Sequence, residues 1–413
     1  MEPIEKQVSV LMRGSEFGDD QIKEMMTREL RQKLVEAKEA GRRLRVYCGY
    51  DVTAPDIHLG HTITIRKLRQ FQDYGHDVTF LIGTFTTLIG DPSDRDEARS
   101  MALVEQVKKN AQTYAEQAFR ILDRNKTAVR YNYDWLSKLT FTDIISMASC
   151  FTVQQFLTRD RLRNRYEKND PIWLRELLYP LAQGYDAVAL QTDVQLGATE
   201  QLFNLMAGRR LQEAFGQKPQ VCITFPVLVG TDGVKRMSKS TGNYIGVSEP
   251  PEQIYGKIMS IPDALIMHYF ELLTDVPQEE LAEFKKQIES GANPMDLKKR
   301  LARELVTGLY SDADASAAGE HFAKTVQKKE IPDNINIVIE VPTANIRIET
   351  YAPTIVQKGM VKSRSEFSRL VRQGAVSVDG EKTSGNVTVK NGSILKIGKR
   401  IFAKFVITGT QQQ

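Results

Sequence analysis

Residues 44–82 read LRVYCGYDVTAPDIHLGHTITIRKLRQFQDYGHDVTFLI, and this stretch decides the fold. Its first apolar run, Leu44–Cys48, predicts a buried strand, and the apolar run Val78–Ile82 predicts the next one. Between them, Leu59–Tyr74 has apolar residues at helical spacing. Strand, helix and strand in this order indicate a β-α-β unit, which pairs its strands in parallel.

The same alternation continues along the chain and then stops. The expected later elements are a helix at Met101–Leu122, a strand at Val129–Tyr131, a helix at Leu174–Leu190, a strand at Gln191–Leu196, a helix at Glu200–Phe215 and a strand at Val221–Leu228. This order predicts an α/β fold with a doubly wound, Rossmann-like parallel sheet. From Pro250 to Lys328 the pattern is helical, and Lys329–Pro342 has the composition of a linker. We therefore predict a catalytic domain at 1–249, an α-helical domain with linker at 250–345 and a small α+β domain at 346–413.

Charge is distributed unevenly along the 413 residues. The whole chain carries a net charge of +4, yet residues 351–413 contain eleven Lys or Arg against three acids, a net of +8. Such a basic module suggests binding to a polyanion such as RNA, because neutralised phosphates release counterions. A merely solvated basic face is the alternative.

Composition also bounds the location of the protein. No apolar run approaches the roughly 20 residues that a membrane helix needs, and the N-terminus lacks the pattern of a signal peptide. Cys48, Cys150 and Cys222 are far apart and odd in number, so we expect free thiols rather than disulfides or structural zinc. These features favour a cytoplasmic protein that does not enter a membrane.

The segment His58-Leu59-Gly60-His61, called here the first signature, lies between a predicted strand and a predicted helix. Backbone N–H groups at a helix start favour an anion such as phosphate. Gly60 leaves room for a nucleotide, and each imidazole can donate to phosphate oxygens as charge develops on them. Alone, the pair could equally be two surface or helix-capping histidines.

The segment Arg236-Met237-Ser238-Lys239-Ser240, called here the second signature, follows the strand that is expected to end near Leu228. It lies in a basic loop with glycines at 230 and 233. Cationic and hydroxyl side chains on such a loop can close over a pyrophosphate leaving group in the transition state. An ordinary solvated loop is the alternative for this segment taken alone.

Tyr179, Gln183 and Asp186 are spaced at i, i+4 and i+7, so on a helix they project from one face. They could form a pocket wall in which a carboxylate accepts from a substrate hydroxyl. Pro180 is expected to disturb this helix locally. Scattered exposed polar groups on an ordinary helix are the alternative.

Taken together, the two signatures resemble the signature pair of class I aminoacyl-tRNA synthetases. The stretches Tyr47–Ala54 and Tyr179–Asp186 are similar to the substrate segments of bacterial-type tyrosyl-tRNA synthetases. The resemblance implies catalytic roles for His58, His61, Arg236, Lys239 and Ser240. Two residues depart from the usual pattern: Arg236 replaces a lysine, and Glu200 replaces an aspartate.

Substrate contacts follow from the same resemblance, which implies activation of L-tyrosine with ATP and transfer of the tyrosyl group to tRNA-Tyr. Tyr47 and Asp186 would bracket the phenol, and the other tyrosine contacts would be Asp91, Tyr179, Gln183 and Gln201. The implied ATP contacts are Asp51, Thr53, Gly60, Thr64, Gln195, Glu200 and Lys239. Mg²⁺ is expected to arrive with ATP; no dedicated metal-ligand cluster and no prosthetic group are expected.

The basic module is expected to be a helix, a glycine cap, a short strand and a tight Asp379-Gly380 turn, followed by further strands. This order resembles the small RNA-binding fold that a ribosomal protein shares with bacterial tyrosyl enzymes. We expect phosphate contacts from Lys362, Arg364, Arg369 and Arg372, and by family resemblance a homodimer. The alternatives are a tryptophanyl synthetase, a non-catalytic RNA-binding protein on a synthetase scaffold and a small-molecule nucleotidyltransferase.

Overall fold

A computed structural model describes residues 2–91, 104–327, 335, 337–383, 385–398 and 401–408. Contacts within the chain divide it into two compact units, Met1–Ala315 and Ser316–Gln413. The start of the helix expected at Met101, half of the expected linker and the basic pair Lys399 and Arg400 lie outside the described residues. The three-domain division stays a prediction.

The first unit is built on a five-stranded parallel sheet with the order β3-β2-β1-β4-β5. Its strands are β1 (Arg45–Asp51), β2 (Asp77–Gly83), β3 (Thr127–Tyr131), β4 (Val194–Ala198) and β5 (Val221–Phe225). The order runs outward in both directions from β1, so the crossover reverses between β1 and β4. The predicted fold class, a doubly wound Rossmann-like sheet with helices, is confirmed.

Helices cover the sheet and extend the first unit. They are α1 (Ile4–Met12), α2 (Asp20–Glu39), α3 (Leu59–Asp73), α4 (Thr86–Ile89), α5 (Val104–Ala118), α6 (Tyr133–Leu136), α7 (Phe141–Ala148), α8 (Val153–Leu157), α9 (Asp160–Glu167), α10 (Leu174–Leu190), α11 (Leu202–Ala214), α12 (Pro251–Ile258), α13 (Ile266–Leu273), α14 (Gln278–Glu289), α15 (Pro294–Leu309) and α16 (Asp312–Phe322), the last crossing into the second unit. Because α13 packs on α3, the helical segment after residue 250 joins the sheet in one compact unit.

Two strand boundaries differ from the sequence prediction. β1 continues beyond its predicted end at Cys48 through Gly49, Tyr50 and Asp51, because each pairs in register with β2 as far as Gly83. β4 begins at Val194 rather than at Gln191, because Gln191 takes a left-handed conformation (φ 48°) that ends α10. The first change brings Asp51 to the carboxyl edge of the sheet, whereas the second leaves Gln191 at the amino edge, where it accepts a hydrogen bond from Arg45.

The second unit contains β6 (Val338–Val341), β7 (Asn345–Arg347), α17 (Ala352–Gln357), α18 (Arg364–Arg372), β8 (Val376–Val378), β9 (Glu381–Lys382), β10 (Asn386–Thr388), β11 (Ile394–Ile397) and β12 (Ile401–Ile407). Its larger sheet has the order β6-β12-β11-β8-β9, and Phe367 and Phe405 are buried in its core. β6 pairs with β12, so this small fold begins ahead of residue 346.

Within the described parts of the chain, no helix has the length and apolarity needed to cross a membrane.

Candidate active site

A cavity of about 430 Å³ lies at the carboxyl edge of the parallel sheet, where the strand order reverses. Open α/β sheets bind their ligands at this position. Both signatures line the cavity, and so do the polar side chains of α10. The fold therefore brings residues that lie about 180 positions apart in the sequence into one site.

His58 and His61 form a reciprocal cap at the start of α3. The Nδ1 atom of His58 accepts from the backbone N–H of Gly60 (3.1 Å), and Nδ1 of His61 accepts from the N–H of His58 (3.2 Å). The capping alternative considered from sequence is thus part of the geometry. Because both Nδ1 atoms accept, each neutral ring carries its proton on Nε2, where it can be donated to a ligand.

Both rings are held neutral at pH 7. Burial, then the neighbouring His61 and the cations Lys239 and Arg236, lower the pKa of His58 to about 2. Burial also lowers the pKa of His61 to about 4. The lining around the rings is therefore electropositive without the imidazoles being charged, a setting suited to a polyphosphate.

A hydrogen-bonded frame fixes the second signature. The N–H of Met237 donates to the carbonyl of Leu228 (2.7 Å), and the Met237 side chain is buried. The Asn243 side chain accepts from the N–H of Ser238 (2.9 Å) and donates to Asp232 (2.8 Å). Asn243 thus closes the loop on itself and orients the side chains of 236–240 toward the cavity.

Backbone pairing joins the first signature to the segment that follows the second one. The N–H of Leu59 donates to the carbonyl of Ile245 (2.9 Å), and the N–H of Val247 donates to that of Ile57 (3.0 Å). The segment that follows the second signature therefore runs alongside the first one. Lys239 crosses this seam, and its Nζ donates to Asp56 Oδ2 (2.7 Å).

Arg236 and Glu200, the two residues that depart from the family pattern, contact each other. The guanidinium of Arg236 donates to Glu200 Oε2 (3.3 Å), while Arg161 of α9 donates to Glu200 Oε1 (3.1 Å). Arg236 replaces the usual lysine and Glu200 replaces the shorter aspartate, and the two replacements contact each other at the cavity edge.

Tyr179, Gln183 and Asp186 lie on one face of α10 and line the cavity, as their spacing predicts. Asp186 is buried and accepts from Trp135 Nε1 (2.8 Å) and Asn132 Nδ2 (3.2 Å). Burial raises the pKa of Asp186 to about 8, which those two donors only partly offset. A carboxyl group at this depth is suited to a hydrogen bond with a neutral hydroxyl.

Tyr47 lies behind this wall rather than on the cavity lining. Its side chain is 1% exposed, and its hydroxyl has no hydrogen-bond partner among the described residues. Burial, followed by the charge of Asp186, raises the pKa of this phenol. A buried hydroxyl without a partner is costly, so this oxygen is a natural place for a ligand contact.

Four further polar residues that line the cavity, Asp51, Thr86, Asp91 and Gln201, take part in hydrogen bonds near the α10 wall. Tyr179 donates to Asp51 Oδ2 (3.1 Å), and Thr86 donates to Asp51 Oδ1 (2.7 Å). Gln201 donates to Asp91 Oδ2 (3.3 Å), and Asp91 is itself buried. Acceptors are therefore concentrated within reach of the α10 wall, as a bound ammonium group would require.

Of the remaining residues expected to contact ATP, Thr53, Gly60 and Thr64 line the cavity, and Thr64 shares a hydrogen bond with Tyr50 (2.8 Å). Gln195 does not line it. The Gln195 side chain is buried in β4 and accepts from Gln220.

Sequence reasoning missed Asn132, Trp135, Asp56 and Arg161. Asn132 directly follows β3, and its position at the carboxyl end of a parallel strand is a usable signal. Trp135, Asp56 and Arg161 carry no comparable signal, because their partners come from distant segments.

In the second unit, Lys362, Arg364, Arg369 and Arg372 are all exposed at or near α18. None of the four forms an ion pair with another described residue, although Arg369 donates to Gln373 (3.2 Å) in the same helix.

Elsewhere, all three cysteines are described and are free thiols, as predicted. The described residues also contain no cluster of three or more His, Cys, Asp or Glu that could hold a metal ion.

Comparison with known proteins gives two family matches. Residues 38–327 match the model of class I tRNA synthetases for W and Y, and residues 354–395 match the S4 domain. The first match spans the parallel sheet, both signatures and the helical segment. The second match includes α18 and the four exposed cations Lys362, Arg364, Arg369 and Arg372.

Individual relatives agree with these matches. A tyrosine–tRNA ligase of Dehalococcoides mccartyi (strain CBDB1) is 48% identical over 94% of this chain and 99% of its own length. A tyrosine–tRNA ligase of Thermotoga maritima is 47% identical over 90% of this chain and 92% of its own.

Among solved structures, the Archaeoglobus fulgidus tyrosyl-tRNA synthetase complexed with L-tyrosine is 25% identical, with a TM-score of 0.59 over 77% of this chain and 100% of its own. A truncated mitochondrial tyrosyl-tRNA synthetase of Aspergillus nidulans has the same fold, with a TM-score of 0.60 at 19% identity over 78% of this chain and 93% of its own. With the cavity geometry, these matches show that the chain belongs to the bacterial tyrosine–tRNA ligase family of class I tRNA synthetases.

Proposed function

We propose that the chain activates L-tyrosine with ATP, forming tyrosyl-adenylate and pyrophosphate, and then transfers the tyrosyl group to the 3′ end of tRNA-Tyr. The observation that carries this proposal is the single cavity that both signatures and the α10 wall line together. Phosphate-binding groups lie on one side of that cavity, and a buried carboxyl group lies on the other.

Selection of tyrosine rests in this proposal on the buried pair Tyr47 and Asp186, which would bracket the substrate phenol. The buried Tyr47 hydroxyl supports this role, because none of the described residues forms a hydrogen bond with it. Tyr179, Gln183, Asp91 and Gln201 would hold the α-ammonium group and the adjoining part of the substrate. A site that pairs a hydroxyl rejects the analogue without it by about 10⁴–10⁵, so phenylalanine would be excluded.

ATP would lie along the first signature. The Nε2–H groups of His58 and His61 would donate to phosphate oxygens, and Gly60 would let the nucleotide approach the start of α3. Lys239, Arg236 and Ser240 would stabilise the charge that develops on the leaving pyrophosphate.

The rest of the nucleotide would be held by Asp51, Thr53, Thr64 and Glu200. For Gln195 we propose support of β4 through Gln220 instead of contact with ATP. Mg²⁺ would accompany ATP, whose phosphate oxygens are its preferred ligands. We place this reaction in the cytoplasm, in keeping with three unpaired thiols.

For the RNA step, we propose that Lys362, Arg364, Arg369 and Arg372 contact tRNA phosphates. Their exposure and the match to the S4 domain support this role. Contacts of this kind orient the RNA without reading its sequence.

We further propose a homodimer. Large apolar side chains are exposed between β3 and β4, among them Phe141 (77% exposed), Leu174 (75%), Ile145 and Val153. Exposed apolar surface of this kind marks an interface, and symmetric pairing would cover it on both copies. In sedimentation analysis, Phe141→Glu with Leu174→Glu should give monomers, whereas Val104→Glu should leave the dimer intact. A monomeric unaltered chain would contradict this proposal.

Transfer of labelled tyrosine to tRNA tests the whole reaction. The unaltered chain should charge tRNA, and Lys239→Ala should lose both activation and charging. Replacing Lys362, Arg364, Arg369 and Arg372 together by glutamine should weaken tRNA charging while tyrosine activation persists. Activation without any transfer by the unaltered chain would contradict the proposed second step.

A further inference from the structure

Asp56 carries the carboxylate that binds Lys239 in the second signature. The two side chains meet at 2.7 Å, with Asp56 53% exposed and Lys239 21% exposed. Asp56 lies two residues before His58. Both Asp56 and its partner Lys239 line the cavity. No role was assigned to Asp56 by its sequence pattern.

The backbone around this contact is fixed independently of any ligand. Ile57, next to Asp56, accepts a hydrogen bond from Val247, and Leu59 donates to Ile245. These bonds keep the start of the first signature in register with the segment that follows the second one. Lys239 can therefore exchange one anionic partner for another while the paired segments 57–59 and 245–247 stay in place.

An aromatic ring and a further cationic group lie near the Lys239 ammonium. Tyr244 lies beneath it, with its ring centroid 5.8 Å from Nζ, and the positive charge of Lys239 helps to lower the pKa of His58 and His61. Arg236 is a second cation near His58 and also lowers the pKa of His58. The Asp56 carboxylate thus neutralises a locally positive region that would otherwise face solvent.

We propose that Asp56 is a positioning residue that acts as an exchangeable counterion for Lys239. Without nucleotide, it holds Lys239 across the cavity mouth; when ATP binds, phosphate oxygens replace the carboxylate. An ion pair with an exposed carboxylate is weak, so a polyphosphate displaces it readily. This role rests on the proposed use of Lys239 as a phosphate contact.

The test uses Asp56→Asn in the full chain, with Asp73→Asn as its matched control. Asp73 ends α3, is 52% exposed and pairs with Arg69 at 2.8 Å, so it resembles Asp56 in exposure and pairing but lies outside the cavity lining. Trypsin cleavage after Lys235 and Arg236 reports how firmly the second signature is held without ligand. Calorimetric titration measures the Kd of ATP, which reflects the competition between the Asp56 carboxylate and the ATP phosphates for Lys239.

Asp56→Asn should be cleaved faster than the unaltered chain, and it should bind ATP about two- to five-fold more tightly, because no carboxylate must be displaced. In a Lys239→Ala background the same substitution should change the ATP Kd by less than two-fold. Asp73→Asn should match the unaltered chain in both measurements.

Weaker ATP binding by Asp56→Asn would overturn the proposal, and so would unchanged cleavage with unchanged affinity. An equal gain in the Lys239→Ala background would also overturn it, because simple repulsion between Asp56 and ATP would then account for the effect. Tyrosine-dependent ATP–pyrophosphate exchange by the unaltered chain is measured alongside. Absence of this exchange would count against the proposed function. The cleavage comparison would still test whether the pair of Asp56 and Lys239 holds the second signature.

Discussion

At the residue scale, His58 and His61 each perform two tasks with two different nitrogen atoms. Nδ1 caps the start of α3, and Nε2–H is left for the ligand. Protonation would turn each accepting Nδ1 into a donor that faces another N–H group. The cap therefore requires the same neutral ring that the proposed phosphate contact uses.

Replacing His58 by asparagine should separate these tasks, because asparagine caps helices well but cannot protonate. In the folded chain the pKa of His58 is lowered to about 2 from a usual 6.5, so the unfolded chain takes up protons that the folded chain does not. The free energy of unfolding therefore falls as the pH drops below 6.5. Between pH 7.5 and pH 5, His58→Asn should lose about 2 kcal/mol less than the unaltered chain in denaturant titrations.

Tyrosine activation by the same variant should fall by about 10²–10³ in ATP–pyrophosphate exchange, since one donor to the phosphates is lost. Thr152→Asn, at the capped start of α8, serves as control because neither residue titrates in this range. Equal acid sensitivity of His58→Asn and the unaltered chain would contradict this account of the cap.

Tyr47 and Tyr50 offer a matched pair on β1. Tyr47 has a buried hydroxyl without a partner among the described residues, whereas the Tyr50 hydroxyl shares a hydrogen bond with Thr64. Tyr47→Phe should leave the free energy of unfolding unchanged or raised, and Tyr50→Phe should lower it by about 1 kcal/mol. For Tyr47→Phe we also expect an approximately ten-fold higher KM for tyrosine. Equal destabilisation by both, with an unchanged KM, would refute the proposed phenol contact.

At the element scale, the loop that carries the second signature depends on one buried asparagine. Asn243 binds Ser238 and Asp232 from the centre of the loop. Asn243→Ala should lower the exchange rate by about 10²-fold, because loop groups displaced by an ångström lose their alignment with the phosphates. Asn293→Ala, which removes the cap of α15, should instead cost about 1 kcal/mol of stability and leave exchange intact. Normal exchange by Asn243→Ala would contradict this role for the frame.

Elements with a clear apolar period were predictable from sequence. α10 has the predicted bounds, and its face carries Tyr179, Gln183 and Asp186 to the cavity. Boundaries set by pairing register were not predictable: Gly49–Asp51 belong to β1 because β2 lies beside them. The contacts of Asp186 with Trp135 and of Lys239 with Asp56 join distant segments, so no local pattern could reveal them.

At the scale of the whole molecule, β6 determines where the chain can be divided. This strand pairs with β12 and buries Ile339 and Val341, so a chain ending at residue 350 would keep β6 without its partner. A chain ending at residue 327 keeps the synthetase match and none of this sheet. We expect the 1–327 chain to retain tyrosine activation at nearly the full rate and to lose most tRNA charging.

The 1–350 chain should aggregate in light scattering, because its unpaired strand exposes apolar residues. Loss of tyrosine activation in the 1–327 chain, with its fold intact by circular dichroism, would contradict a division of labour between the two units.

Tyrosine-dependent ATP–pyrophosphate exchange tests the central claim most directly. The unaltered chain should exchange pyrophosphate with tyrosine, and neither tryptophan nor phenylalanine should support the reaction; Lys239→Ala should abolish it. Exchange that tryptophan alone supports, or no exchange with any of the three amino acids, would contradict the account.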